Sequence, residues 1–108
     1  MHILIITDNE NSDLIRALIR KKYIPITRSS LHSAMAILKH IAFTAILIDK
    51  EHHDVDTLEF ILNARDFQPE TPIYIPETYD HQKTDIHMNT LNKVIYYPSE
   101  QDLIRDYL

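Results

Sequence analysis

A chain of 108 residues with 44 % apolar and 25 % charged side chains can bury the core of one ordinary globular domain and little more. The absence of cysteine removes disulfides, thiolate metal sites and cysteine nucleophiles, and a net charge of −5 gives a nucleic-acid backbone little to hold. Glycine, normally about 7 % of residues, is also absent, which excludes glycine-rich phosphate loops and predicts helix ends built on Asn, Lys or His.

The elements follow in order. His2-Ile3-Leu4-Ile5-Ile6-Thr7 is an Ile-rich run closed by Asp8, the pattern of a strand buried on both faces of a parallel sheet. Asn11-Ser12-Asp13 offers a helix N-cap, with Leu14, Ile15, Leu18 and Ile19 on the inward face; Arg16, Arg20, Lys21 and Lys22 form a solvated one. Tyr23 to Thr27 is extended, and Pro25 makes it an edge strand. Ser29 or Ser30 caps a second helix carrying Leu31, Ala34, Met35 and Leu38. Phe43 to Asp49 is the most apolar strand, again ending in a carboxylate, and Lys50 to Asp54 is a polar loop.

A third helix begins at Asp56-Thr57, with Leu58, Ile61, Leu62 and Phe67 expected inside, and Pro69-Glu70-Thr71-Pro72 breaks it. Ile73-Tyr74-Ile75 is a short strand, and 77–92 is a weakly periodic helix anchored by Ile86, Met88 and Leu91. Val94-Ile95-Tyr96-Tyr97 is the last strand, and Ser99 opens a helix with Leu103, Ile104 and Tyr107. Strict β–α alternation implies one domain over 1–108, a parallel sheet covered by helices on both faces. Ligands of such sheets sit beyond the carboxyl ends of the strands, which places Asp8 and Asp49 at one rim.

The chain at this point resembles the receiver domain of two-component response regulators along essentially its whole length. Thr7-Asp8-Asn9-Glu10 stands where that family commonly has a hydrophobic residue followed by Asp-Asp-Glu. Asp49 ends the third strand, Thr57-Leu58-Glu59-Phe60 falls where Gly-Leu-Glu-Phe is usual, and Tyr97-Pro98 falls on a Lys-Pro pair. The resemblance implies a flavodoxin-like (βα)5 three-layer sandwich with a five-stranded parallel sheet of order 2-1-3-4-5. It implies Asp49 as phosphoacceptor, and Mg²⁺ held by Asp8, Asp49, Asn9 in place of a second acid, and the Glu51 backbone carbonyl. Against the family pattern, the hydroxyl position falls on Glu77, with Thr78 one step along. Tyr97 takes the lysine position, Val94 the aromatic switch position, His53 that of a proline and Thr57 that of the loop glycine. Tyr97 is expected to fill the space of the lysine, its hydroxyl reaching Asp49 or Glu77.

These changes remove positive charge from the place where a phosphoryl group would arrive, and Mg²⁺ binding is expected to be weakened. The expectation is a signalling domain, not an enzyme, that acts by protein–protein interaction with phosphotransfer impaired or lost. The alternative is a working Asp49 phosphoacceptor in a phosphorelay. Partners would be another protein, an attached effector domain or a second copy meeting the last strand and helix through Tyr96, Asp102, Arg105, Asp106 and Tyr107. His52, His53, Asp54 and Asp56 include zinc and nickel donors, but adjacent loop histidines rarely face one ion and are read as surface residues. No apolar run approaches the ~20 residues of a membrane span, and Met1-His2-Ile3 is no signal-peptide start, so no membrane contact and a cytoplasmic location are expected.

Overall fold

The computed structural model describes residues 1–9, 12–49, 57–76, 93–106 and 108. The described elements run β1 (His2–Ile6), α1 (Asp13–Arg20), β2 (Ile24–Arg28), α2 (Leu31–Leu38), β3 (Ala45–Ile48), α3 (Thr57–Phe67), β4 (Ile73–Pro76), β5 (Val94–Tyr97) and α4 (Glu100–Asp106). The strands form one five-stranded sheet in the order β2-β1-β3-β4-β5, every pair parallel. The helix expected over 77–92, with Ile86, Met88 and Leu91, lies outside the described residues, as do His52, His53, Asp54 and Asp56.

Period-two alternation divides the strand side chains between two cores. Leu4, Ile6, Ile46, Ile48, Ile73 and Ile75 face α2 and α3, meeting Ala34, Leu38, Phe60, Ile61 and Ala64. Ile3, Ile5, Ala45, Leu47, Tyr74 and Tyr97 face α1 and α4, meeting Leu14, Ile15, Leu18 and Leu103. Each fully buried Ile or Leu contributes roughly 1.5–3 kcal/mol, so the central strands carry much of the folding energy on both faces. Pro25 sits in β2 at the sheet margin, where a missing N–H costs no ladder bond on the open side.

The caps are local and sequence-encoded. Ser12, Ser30 and Ser99 hydroxyls accept N–H bonds from Ile15, Ser33 and Asp102 at the starts of α1, α2 and α4. With no glycine to call on, α1 ends on lysine. Lys22 takes φ 69°, and the N–H groups of Lys22 and Tyr23 bond the carbonyls of Ile19 and Leu18, a Schellman closure.

Three residues expected to face inward are corrected. Ile19 is 55 % exposed because it lies in the last turn of α1, where the chain leaves the sheet. In α3, Leu62 and Phe67 are 50 % and 46 % exposed, while Thr57, Phe60, Ile61 and Ala64 take the core face at the helical repeat. Lys39 Nζ lies 5.5 Å from the centre of the Phe67 ring and shields it instead.

The amino edge of the sheet is braced by two polar side chains. Buried Gln68 accepts the Phe43 N–H (3.0 Å) and donates to the carbonyls of Leu38 (3.0 Å) and Ile41 (2.6 Å). Arg65 donates to the carbonyls of Gln68, Thr71 and Lys93, joining the end of α3 to the starts of β4 and β5.

Candidate functional site

The carboxyl edge begins where β1 and β3 stop. Their register pairs Ile6 with Ile48, and that ladder runs one step further, the Asp49 N–H donating to the Ile6 carbonyl (3.0 Å), while on the other side of β1 the Thr7 N–H donates to the Arg28 carbonyl of β2 (2.9 Å). Thr7 and Asp49 are therefore neighbours, on the face that carries Ile3, Ile5, Ala45 and Leu47. The Thr7 hydroxyl donates to Asp49 Oδ2 at 2.7 Å and accepts the Asn9 N–H at 3.1 Å. Thr7 is 4 % exposed, whereas Asp49 is half-buried and Asp8 and Asn9 are exposed. Asp8 thus sits one residue beyond the Thr7–Asp49 contact, at the same rim.

Tyr97 closes β5 on that face, 4 % exposed, and its hydroxyl donates to the Ile48 carbonyl at 2.9 Å. The expected bond to Asp49 is thereby corrected: the phenol reaches the backbone one residue before Asp49, because the end carbonyl of β3 offers the buried acceptor, while the alternative partner, Glu77, lies outside the described residues. Burial pushes the phenol pKa well above the usual tyrosine range, and the negative charges of Glu100 and Asp49 add to the effect. Tyr97 is consequently a neutral donor, unable to supply charge.

Val94 and Tyr96 are half-buried on the opposite face, against the core of α2 and α3. Of the expected interaction face, Asp102 is half-buried and Arg105 and Asp106 are exposed. Arg105 pairs with both Asp102 and Asp106 at the surface, so the charges of this patch partly neutralise one another. Thr57 is fully buried at the start of α3. Glu51, Glu77, Thr78, His53 and Tyr107 lie outside the described residues.

No protein-family model matches the chain, and no curated protein matches it. Solved structures do. Over 96 % of its length it superposes on a CheY-like response regulator receiver domain protein from Methanospirillum hungatei JF-1, at 17 % identity, TM-score 0.78 and 87 % coverage of that chain. This chain has the receiver fold. The receiver domain of NtrC4 from Aquifex aeolicus matches 96 % of it at 21 % identity and TM-score 0.76, with 88 % of that chain covered; the NtrC4 receiver domain is also solved as a beryllofluoride-activated dimer. The receiver domain of sensor histidine kinase PA1611 from Pseudomonas aeruginosa PAO1 matches 96 % at 19 % identity and TM-score 0.70, with 91 % of that chain covered, and has a magnesium ion coordinated in its active site cleft.

In the receiver fold as built here, Asp8 and Asp49 follow β1 and β3 and Tyr97 closes β5. Among the described residues no group of three or more His, Cys, Asp or Glu is placed to hold a metal ion. Two carboxylates and an amide are oxygen donors of the kind Mg²⁺ accepts, and bound through one oxygen each they fill half of its six positions. Sequence reasoning missed Thr7. Alternation groups Thr7 with Ile3 and Ile5 and Asp49 with Ala45 and Leu47, and the β1–β3 register then brings the hydroxyl to the carboxylate.

Proposed function

We propose that this chain is a response-regulator-like signalling domain that acts by docking on another protein, with phosphoryl transfer to Asp49 impaired. One observation carries the reading: Tyr97, where the resemblance expects a lysine, is a buried neutral phenol bonded to the Ile48 carbonyl. A phosphoryl group on Asp49 brings added negative charge to a rim that already holds Asp8. At an effective dielectric of about 20, one ammonium at about 4 Å would be worth about 4 kcal/mol, and Tyr97 contributes none of it.

Mg²⁺ would fall to Asp8 and Asp49, with the Asn9 amide in place of a carboxylate and the Glu51 carbonyl completing the set. When bound, the ion supplies charge neutralisation. Asp49 provides the nucleophilic oxygen, Thr7 holds its orientation, and Tyr97 fills the adjoining volume. Docking would use the outer surface of α4, presenting Asp102, Arg105 and Asp106 to a partner protein, an attached effector domain or a second copy; Tyr96 packs on the opposite face of the sheet and is not part of it.

The test is to record amide spectra of the isotopically labelled protein with Mg²⁺ and either acetyl phosphate or beryllofluoride. Relative to the spectrum with Mg²⁺ alone, amides around Thr7, Asp49 and Tyr97 are expected to stay in place when acetyl phosphate or beryllofluoride is added. A saturable shift centred on Asp49 would overturn the reading and establish the alternative, a working phosphoacceptor of a phosphorelay.

A further inference from the structure

The bond between Thr7 and Asp49 does more than fix a rotamer. A hydroxyl has one hydrogen, and the Asn9 N–H already donates to the Thr7 oxygen, so that hydrogen is directed at Asp49 Oδ2. The donor is almost fully enclosed, the acceptor is half-buried, and the strand register holds both ends. A hydrogen bond to an ionised carboxylate is of the strong, short class, and 2.7 Å lies within it. Such a donor draws electron density from the oxygen on which a divalent cation at this rim would depend.

We infer that Thr7 is a positioning residue that holds the Asp49 carboxylate in a cation-free arrangement, so that its hydroxyl and a divalent cation compete for Oδ2. The inference rests on the reading of Asp8 and Asp49 as weak cation ligands. It does not depend on whether Asp49 is ever phosphorylated. Thr7→Val keeps the shape and removes the donor. Thr7→Ser keeps the donor and removes a methyl group. A merely structural threonine would be hurt by the serine substitution and gain nothing from the valine.

The experiment is a Mn²⁺ titration of the whole chain, read by paramagnetic broadening of amide signals, in the parent protein, Thr7→Val, Thr7→Ser and Asp49→Asn. Thr7→Val is expected to bind at least threefold more tightly than the parent, Thr7→Ser within twofold of it, and Asp49→Asn to lose the site. Equal or weaker binding by Thr7→Val, with the parent site intact and sensitive to Asp49→Asn, overturns the inference and leaves the cation reading standing. Absence of localised broadening in every variant overturns the cation reading and the inference with it. An independent readout needs no ion. The Thr7 hydroxyl proton should exchange slowly enough to be seen at low temperature and vanish in Asp49→Ala; a freely exchanging proton in the parent also overturns the inference.

Discussion

Tyr97 shows how burial sets the protonation state of one side chain at the end of a strand. Its phenol is protonated in the fold and stays so beyond the pH at which a solvated tyrosine ionises, at about 10. Below that pH the folded and unfolded chains hold this proton equally. Above it the unfolded chain loses the proton first, so the unfolded state binds fewer protons and stability falls as pH rises. Tyr97→Phe should cost about 1–2 kcal/mol at neutral pH by leaving the Ile48 carbonyl short of a donor. The difference between parent and variant, from urea denaturation, should be flat over roughly pH 7–9 and shrink above about pH 10. A difference that grows in alkali would contradict the burial of a neutral phenol.

Among the elements, helix ends carry the consequences of a glycine-free composition. Lys22 in the left-handed region bears a steric cost of roughly 1–2 kcal/mol that glycine would not. Lys22→Gly should therefore raise stability by about 0.5–1 kcal/mol once the greater freedom of the unfolded glycine is subtracted, measured by urea denaturation. Gln68 lies at the other extreme. Removing it strands the Phe43 N–H and the carbonyls of Leu38 and Ile41, and Gln68→Ala should cost about 2–4 kcal/mol in the same assay. Strands and the edge position of β2 were legible because Ile-rich runs and Pro25 each have a plain physical reading, and serine marked the helix starts; the strand order came from the resemblance to receiver domains. The inward face of α3 was not, because apolar residues occur at 58, 60, 61, 62, 64 and 67 and surround the helix. Asp8 and Asp49 were legible as strand-end acids. Thr7 and Gln68 were not, because a polar residue reveals its partner only once strand register and helix phase are known.

For the molecule as a whole, the two cores meet at the central strands. Amide hydrogen exchange should be slowest at Ile3–Ile6 and Ala45–Ile48, whose residues are buried on both faces, and faster along β2 and β5 at the sheet margins. Fast exchange in β1 with protection in β2 would show that the margins, not the centre, hold the fold together. The last helix is fastened to the first: Lys21 Nζ donates to the Ile104 carbonyl and the Tyr23 hydroxyl to that of Leu108. A partner that displaces α4 must break these ties, so partner binding should perturb amides at Lys21–Ile24 as well as those of α4.

The Arg65–Gln68 brace has a further implication, since it stands at the end of the sheet away from Asp49. Damage there should show in melting curves while leaving ion titrations untouched, and changes near Thr7 should do the opposite. The polar brace and the acidic rim thus sit at opposite ends of the strands, joined by the core between them, with Tyr97 the side chain that serves both the rim and the packing.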